Sequence, residues 1–590
     1  MNDIISRLIE FIRRHEIPCL FCLVYLVYNI NGRIIGAGDT IPASLLPFSI
    51  LENHNLYLDQ FYNYFESNSL LPFFAKKIDE HLLSVYPIVT PILITPLYVL
   101  PFLFLKSAHI PIDMLNPGFA LAVSIMEKLS AALIASISVI FVFLSVKELT
   151  DKRTATIVAL IFAFATNTWA TSSQALWQHG LIELLLAVSI YLILMNEKHA
   201  SYRIIVSLGI ISGLFIFNRS ADSILLIPVI LYILALRDQR IIYYFGAMAL
   251  AGTPFLFYNL QYFGNLFGGY GDMATQIHFN SEAIIGFIGM LISPSRGIFI
   301  YTPIMIFSIF GYFKIFKLSN NRVKNFLFAS GFSVLGQILL YGAFICWWAG
   351  WSYGPRFLTG TLPILSILLG LYVKDIRFDA KNKKVSLLIC IFSVLLIWSV
   401  FAQLVGAFCY PNGNWDANPD VTFHPERLWD WKDTQTTRSF NAGIILPRNL
   451  IGDLLVIANP PQDIVVKGNL GKGWYGIEIW DGTSTRWMEN DALVTLYSPE
   501  NRNVNLSLSL TSFYRPRTLD IYAGDELALR ANVSSTGFED MTAPIHLMKG
   551  TNTVRFHIPE GCERPLDKQE LNNKDTRCLG LAFQKINVNS

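Results

Sequence analysis

Charged residues are scarce in this chain of 590 residues. Lysine, arginine, aspartate and glutamate make up 15% of the sequence and leave a formal net charge of only +2. No block of like charge forms a basic arm, so the composition argues against a nucleic-acid-binding protein. Hydrophobic residues account for 53% of the chain, and the mean hydropathy is +0.44. These proportions indicate a membrane protein, with lipidic molecules as the expected partners.

Cysteine and histidine are also few, which limits the expected capacity for metal binding. Cys19 and Cys22 are three positions apart, but no histidine follows them at metal-ligand spacing, so packing within an apolar helix is the preferred interpretation. The histidines share no ligand spacing either. No cofactor is therefore firmly implied, and a divalent metal is disfavoured. Cys562 and Cys578 close a short polar loop, where an extracytoplasmic location favours a disulfide.

Long apolar runs recur from residue 17 to residue 406. Roughly twelve of them are long enough to cross a bilayer as helices. They lie near residues 17–35, 84–105, 128–147, 154–170, 180–195, 203–217, 222–236, 241–260, 297–313, 325–346, 357–373 and 386–406. The chain shows no internal repeat. We therefore predict a mainly α polytopic membrane protein.

The basic residues between these runs decide which runs are predicted to cross. Arg7, Arg13 and Arg14 precede the first run and place the N-terminus in the cytoplasm. If the run 84–105 crossed, every later basic loop would fall on the outer side. We therefore predict that 84–105 lies in the outer interface, that about eleven helices span the membrane, and that the C-terminus is outside. Closely spaced prolines in this segment, which are expected to break a helix repeatedly, are Pro87, Pro91, Pro96 and Pro101.

Three regions follow from this topology. Residues 1–409 form the transmembrane region, and residues 36–127 are its long outer loop, lying against the membrane. Residues 410–449 form a polar, tryptophan-rich connector. From residue 450 to residue 590, short runs alternate with period two between Gly, Asn, Asp and Pro, which predicts an extracytoplasmic all-β sandwich.

Asp39 is the acidic residue that we single out, because it follows the first predicted span within the stretch 36–59. A carboxylate at the membrane surface can take a proton from an acceptor hydroxyl. It can equally cap a helix, since Thr40 and Pro42 follow it in an order that suits a helix start. The residues by themselves leave both interpretations open.

Three arginines lie at the outer mouths of predicted spans, against the usual inward bias of positive charge. They are Arg219, Arg296 and Arg356. The planar donor fork of arginine suits a phosphate or pyrophosphate group, so we predict that these residues bind one. The alternative is that each side chain extends to the lipid headgroups.

Aromatic and histidine side chains in the predicted outer loops are candidates for contacts with a substrate or its sugar. Trp351 belongs to a tryptophan-rich loop that either stacks on a sugar ring or forms part of an interfacial aromatic belt. The other candidates are His81, Tyr301 and Tyr353.

Five stretches, in their order along the chain, resemble bacterial integral-membrane glycosyltransferases of the GT-C superfamily, close to the family 39 or mannosyltransferase-like group. These stretches are GDTIPASLLPFSIL, YPIVTPIL, LISPSRGIFIYTP, WWAGWSYGPRF and HPERLWDWKDTQ. The resemblance covers roughly residues 15–440. It implies a GT-C-like fold, a location in the bacterial inner membrane, and transfer of a sugar from a polyprenyl-phosphate carrier to an acceptor outside the cytoplasm, typically by inversion.

The resemblance also implies roles for particular residues. Asp39 matches the acidic residue that acts as base or positions the acceptor. Arg296 and Arg356, and more weakly Arg219, match outer-face arginines that hold the lipid phosphate. The chain has Gly38 before Asp39, where many relatives carry a second acidic residue, and this departure puts metal dependence in doubt. The expected partners are the polyprenyl-phosphate sugar donor, membrane lipid, and a glycan, lipid or protein acceptor.

Two other classes of function remain open from the sequence. A flippase or transporter of lipid-linked glycans is disfavoured, because transporters tend to show internal repeats and ionisable residues at mid-membrane. A non-catalytic membrane anchor for a carbohydrate-binding β domain is the second alternative. That alternative predicts that Asp39 and the three arginines are dispensable while the C-terminal region is required.

Overall fold

The computed structural model describes residues 15–67, 74–114, 116–271, 275–376, 383–445, 467–470, 473–480, 483–498, 500–568 and 577–589. Arg7, Arg13 and Arg14, on which the orientation of the N-terminus depends, lie outside these residues, as do residues 446–449 of the connector. The chain forms two compact units. The first comprises Met1–Leu56, Ser84–Val99 and Val123–Leu450, and the second comprises Tyr57–Leu83, Leu100–Ala122 and Ile451–Ser590.

The chain is a multi-pass membrane protein of mainly helical structure. Its α-helices are α1 (Glu16–Asn29), α2 (Ile41–Asn53), α3 (Tyr62–Ser67), α4 (Val89–Ser107), α5 (Pro117–Leu149), α6 (Lys152–Phe164), α7 (Gln178–Lys198), α8 (Tyr202–Asn218), α9 (Ile227–Leu234), α10 (Arg240–Phe263), α11 (Ser281–Ile292), α12 (Ile298–Tyr301), α13 (Ile306–Lys314), α14 (Asn321–Gly342), α15 (Leu362–Val373), α16 (Lys383–Phe408) and α17 (Gln435–Asn441).

Within the described part of the chain, seven helices are long and apolar enough to cross a membrane. These are Val89–Ser107, Gly118–Leu149, Gln178–Lys198, Arg240–Phe263, Asn321–Gly342, Arg356–Val373 and Leu387–Phe408. Shorter apolar helices are Glu16–Asn29, Tyr202–Asn218, Ser220–Leu234 and Ser281–Ile292. The fold class predicted from the apolar runs is confirmed, whereas the count of eleven spans stays a prediction.

The proline-rich segment differs from the expectation. The prediction that its prolines break the helix is wrong, because α4 runs without interruption through Pro91, Pro96 and Pro101. Pro91 lies in the first turn, where no N–H is needed, and the hydroxyl of Thr95 donates to the Pro91 carbonyl at 2.8 Å. In apolar surroundings a helix keeps most of its backbone groups paired, and leaving the helical path would unpair many more. The location of this segment in the outer interface, without crossing the membrane, stays a prediction.

Polar caps and small residues shape the helical unit. Asp151 caps α6 and Asn320 caps α14, each accepting hydrogen bonds from the first-turn N–H groups of its helix. Helix α8 packs closely on α10 at Gly209, where a Cβ atom would lie 2.3 Å from the Tyr244 carbonyl oxygen. Small residues at such positions let helix backbones approach one another in a membrane.

The tryptophan-rich stretch is part of the helical unit and is folded over residues 410–445. Trp415 is buried and its indole N–H donates to the Asp433 carbonyl at 2.7 Å. Its ring lies between two guanidinium groups, 4.5 Å from Arg427 Cζ and 5.4 Å from Arg296 Cζ. These contacts fold the predicted connector around Trp415 and join it to Arg296.

The second unit contains an antiparallel β sandwich. Its strands are β3 (Lys467–Leu470), β4 (Trp474–Trp480), β5 (Thr483–Met488), β6 (Asp491–Ser498), β7 (Arg502–Ser512), β8 (Arg517–Ala523), β9 (Glu526–Val533), β10 (Glu539–Leu547), β11 (Gly550–His557) and β12 (Leu581–Asn589). One sheet has the order β10-β7-β12-β5-β4 and the other β3-β6-β11-β8-β9. Inward residues of both sheets, such as Leu508 and Phe556, share one core, which confirms the sandwich predicted from period-two alternation. Cys562 and Cys578 form a disulfide.

Parts of the predicted outer loop 36–127 belong to this second unit. Strands β1 (Ala75–Ile78) and β2 (His81–Ser84) form a two-stranded sheet. Asn116 donates to the Tyr497 hydroxyl at 2.9 Å, and Asp113 accepts from Thr551 at 2.9 Å. Side chains from the first loop are therefore hydrogen-bonded to the sandwich, a grouping that the order of the sequence does not reveal.

Candidate functional site

Asp39 lies in a short segment between α1 and α2 that is held against the start of α7. The Ile35 N–H donates to the Gln174 carbonyl at 3.2 Å, and the Trp177 indole N–H donates to the Ile35 carbonyl at 3.1 Å. Gly36 is required for this approach, because a Cβ atom there would lie 2.4 Å from Thr40 Oγ1 and 3.1 Å from Ala175 Cβ. The backbone before Asp39 is thus fixed on both sides.

Asp39 and Arg356 form an ion pair although 317 positions separate them. Arg356 Nη1 donates to Asp39 Oδ2 at 2.6 Å, and only 9% of the arginine side chain and 13% of the aspartate side chain are exposed. Arg356 Cζ also lies 4.2 Å from the centre of the Trp177 ring. The two residues that the sequence proposed separately, as base and as phosphate ligand, therefore meet in one place.

The loop before Arg356 is held by two arginines. Arg356 Nη2 donates to the Ala349 carbonyl at 2.7 Å, while Arg296 donates to the carbonyls on either side, Trp348 at 2.8 Å and Gly350 at 3.0 Å. Ala349 has φ = 64°, a left-handed conformation that is uncommon for a residue with a side chain. Such a conformation persists only where the surroundings hold it, and the two guanidinium groups do so here.

Arg219 lies in a second polar cluster of the same unit. Its Nε donates to the Tyr341 hydroxyl at 2.8 Å and lies 3.3 Å from Asp222 Oδ2. Its Nη1 is 3.5 Å from Gln178 Oε1 and 3.4 Å from the Tyr270 hydroxyl. Asp222 is buried and also accepts from Tyr341. Arg219 is therefore anchored by an aspartate three residues away in the FNRSAD stretch.

The ring of Phe357 brings the two clusters together. Arg219 Cζ lies 5.3 Å and Arg356 Cζ 5.8 Å from its centre. Tyr86 lies in the same electrostatic surroundings, and burial together with the nearby Asp39 carboxylate raises its pKa. Burial also raises the pKa of Tyr270 to about 12. Both phenols therefore stay protonated at neutral pH and keep an O–H donor beside the two arginines.

An apolar cavity of about 330 Å³ adjoins this cluster. Tyr86 and Tyr270 line it together with apolar side chains of α8 and α10. These include Ile216, Phe217, Phe255, Leu256 and Phe263. Because Tyr270 also hydrogen-bonds Gln178 beside Arg219, the apolar space ends next to a cationic group. An apolar space that ends at cations suits a ligand with a hydrocarbon part and an anionic head.

Glu127 supports the start of α2. It is buried on α5, accepts a hydrogen bond from the Leu176 N–H at 3.3 Å, and interacts with the side chains of Thr40 and Ser44. The Glu127 carboxylate therefore ties α5 to the turn that carries Asp39. Lys128, the next residue, donates to Gln174 Oε1 at 2.7 Å.

Arg296 uses all of its donors within the protein. Besides the bonds to Trp348 and Gly350, its donors reach the Ser295 carbonyl at 2.8 Å, Gln435 Oε1 at 2.9 Å and Asp416 Oδ1 at 2.7 Å. A guanidinium group has five N–H donors, and these five bonds occupy all of them. Phosphate binding by Arg296 stays a prediction, while these bonds fix the position of the loop at residues 348–350.

Three of the remaining predicted contact residues belong to the helical unit and one to the second unit. Tyr301 and Tyr353 are buried and pack edge to face, with ring centres 5.1 Å apart. Trp351 is 48% exposed, and its indole N–H lies 3.4 Å from Asp420 Oδ1. His81 belongs to the second unit, where its ring stacks on Tyr57 and pairs with the Asp59 carboxylate at 2.7 Å.

No role for Gln178 or Glu127 is predicted from the sequence, and His179 counts there only among the histidines, which share no metal-ligand spacing. Gln178 and His179 are a polar pair directly before the long apolar run of α7. Their position in WQHG is the sequence signal that could have marked them as functional candidates. Among the described residues, no group of three or more His, Cys, Asp or Glu side chains is placed to hold a metal ion.

Comparisons with known proteins give structural likenesses only. No protein-family model matches the chain, and no curated protein matches it. ArnT from Cupriavidus metallidurans, solved bound to undecaprenyl phosphate, superposes with a TM-score of 0.41 and 11% identity, covering 75% of this chain and 76% of that one. The oligosaccharyltransferase of Archaeoglobus fulgidus, in complex with Zn and sulfate, gives 0.41 and 13%, covering 70% and 57%. A family 35 carbohydrate binding module from an environmental isolate gives 0.15 and 12%, covering 22% and 90%.

Proposed function

We propose that this protein transfers a monosaccharide from a polyprenyl-phosphate donor to a hydroxyl acceptor outside the cytoplasm. One observation carries the proposal: Asp39 and Arg356 meet at 2.6 Å beside Arg219 and an apolar cavity. A carboxylate, two guanidinium groups and an apolar space are the parts that such a reaction requires. The carboxylate takes a proton, the cations bind a phosphate, and the apolar space receives a hydrocarbon chain.

In the proposed reaction, Asp39 accepts the proton of the acceptor hydroxyl. The acceptor oxygen forms a bond to the anomeric carbon while the bond from that carbon to the phosphate oxygen breaks. The electron pair leaves with the polyprenyl phosphate, and the attack from the opposite face inverts the anomeric centre. Arg356 and Arg219 stabilise the charge that develops on the leaving oxygen, as preorganised donors do in other enzymes.

The donors of Arg356 are divided in a way that permits both roles. Nη1 holds Asp39 and Nη2 holds the Ala349 carbonyl, while Nε is buried and has no hydrogen-bond partner among the described residues. We infer that Nε meets the phosphate. The guanidinium group of Arg356 would then both orient the Asp39 carboxylate and bind the leaving phosphate, which keeps the base and the leaving group close together.

The direct test uses the full-length protein in nanodiscs with a panel of polyprenyl-phosphate sugars and a membrane extract as acceptor. Asp39→Asn is expected to lower transfer by roughly 10²- to 10⁴-fold, the range for loss of a general base, while donor binding is retained. Asp430→Asn, the same change at an exposed aspartate, is the control and is expected to transfer normally. Absence of transfer with every donor, or equal transfer by Asp39→Asn, would count against the proposal.

A further inference from the structure

His179 is a buried imidazole that the proposed reaction leaves unused. It is the second residue of α7 and only 1% exposed. Neither ring nitrogen has a hydrogen-bond partner among the residues that the structure describes. Buried polar groups are nearly always paired, so an unpaired imidazole points to a partner that binds from outside the chain.

The neighbours of this ring identify the kind of partner. The His179 ring centre lies 6.0 Å from that of Phe357, the same ring that Arg219 Cζ approaches to 5.3 Å and Arg356 Cζ to 5.8 Å. The imidazole and both guanidinium groups therefore all lie close to the Phe357 ring. Asp39 and Asp222 already pair with these two guanidinium groups. An anion is therefore favoured by the N–H donors that stay unpaired, since an anion accepts hydrogen bonds from several donors at once.

Two more buried nitrogens in the same place also lack partners in the described chain. Gln178 uses its Oε1 to accept from Tyr270 and Arg219, but its Nε2 has no partner. Arg356 Nε is the other. Asn218 fixes the backbone here, because its Nδ2 donates to the Gln178 carbonyl at 3.0 Å. An amide N–H, a guanidinium N–H and an imidazole near Phe357 and Arg219 thus have no hydrogen-bond partner among the described residues.

We propose that Gln178 and His179 complete the site for the leaving phosphate, each donating a hydrogen bond to a phosphate oxygen. This inference rests on the proposed function and adds the residues that distinguish a phosphate head from an uncharged one. No proton is transferred in this step. As the bond to the anomeric carbon breaks, the electron pair stays on the phosphate oxygen, and the two N–H groups stabilise it together with Arg356 Nε.

The first residues of α7 suit this assignment. No side chain caps the helix start, whose N-cap is Trp177. The N–H groups of a first helical turn and the helix dipole both favour an anion at that end. The unpaired imidazole and amide are the main evidence for a phosphate site, and the uncapped start of α7 supports the same assignment.

The test compares binding of undecaprenyl phosphate and of undecaprenol to the full-length protein in detergent micelles. His179→Phe keeps an aromatic ring against Phe357 and removes both nitrogens. It is expected to weaken phosphate binding by roughly tenfold or more, the value of a hydrogen bond to a charged group, and to leave undecaprenol binding unchanged. His179→Gln supplies an N–H again and is expected to recover part of the preference.

Asn196→Leu is the matched control, because it removes a buried amide at the other end of α7. It is expected to lower stability while keeping the wild-type preference for phosphate over alcohol. If His179→Phe behaves in the same way, the ring has a structural role and this inference is overturned. The proposed function then still stands, provided that Arg356→Gln abolishes the preference. A wild-type protein without any preference for phosphate overturns both.

Discussion

Breaking the Asp39–Arg356 pair is expected to destabilise the helical unit, and a double-mutant cycle measures the coupling between the two charges. The two charges are about nine-tenths buried and 2.6 Å apart. Removing one partner of a buried pair leaves an uncompensated charge and costs about 3–5 kcal/mol. Asp39→Asn and Arg356→Gln are each expected to cost about 3 kcal/mol, the low end of that range, because some solvent reaches both side chains.

The double variant separates the cost of an unpaired buried charge from the coupling free energy of the pair. With both charges removed no buried charge is left unpaired, so the combined loss is expected to be smaller than the sum of the single losses by about 2 kcal/mol. The measurement is reversible unfolding in mixed micelles followed by tryptophan fluorescence. The donor transfer rate of each variant is recorded in parallel, because loss of the charge pair and loss of chemistry are different quantities.

A surface pair in the same unit is the matched control. Lys314 and Asp375 are also close, at 2.5 Å, but their side chains are 29% and 41% exposed. Solvent screens such pairs, and their coupling is expected to stay below about 1 kcal/mol. If the coupling free energy of Asp39 and Arg356 is no larger than that of Lys314 and Asp375, the two charges are not held together in a water-poor site. That result would refute the predicted stabilisation.

Two further predictions follow from other arginines. Arg296→Lys offers three donors where five are used, so it is expected to lower stability by a few kcal/mol while leaving the undecaprenyl phosphate affinity of the folded fraction unchanged. Reduced affinity at unchanged stability would instead support Arg296 as a phosphate ligand. In the β sandwich, hydrogen bonds from Arg530 lower the pKa of the buried Asp520 carboxylate. A lowered carboxylate pKa adds stability above the ordinary value near 4, and this stability is lost as pH falls through the folded-state pKa. Asp520→Asn is therefore expected to flatten the acid dependence of unfolding below about pH 4, as followed by circular dichroism.

The proline-rich helix shows how surroundings override local propensity. Proline costs a helix about 3 kcal/mol in water, because it removes a hydrogen bond and crowds the preceding turn. That cost predicted a broken segment at Pro91, Pro96 and Pro101. In apolar surroundings the competing cost is that of unpaired backbone groups, and α4 stays continuous. A propensity scale derived from water therefore gave the wrong answer here.

The three arginines show what a sequence pattern does not distinguish. Arg219, Arg296 and Arg356 occupy similar predicted positions at the mouths of apolar runs, so the same role was assigned to all three. The structure gives Arg296 five internal hydrogen bonds and leaves Arg356 Nε without a partner in the described chain. The N–H donors that an arginine has left for a ligand depend on which carbonyls and carboxylates the fold brings near it. Those groups come from distant parts of the chain.

The membrane character, the helical class and the C-terminal sandwich were all predictable from the sequence, because hydrophobic periodicity reports directly on which face of an element is buried. The sequence also pointed to Asp39 and Arg356 as separate candidates. The folded chain was needed to show that they meet across 317 positions, that the tryptophan-rich stretch packs as part of the helical unit, and that Gln178 and His179 lie near two arginines. Local patterns record burial and propensity, whereas the partner of a charged or polar side chain is set by contacts between segments that lie far apart in the sequence.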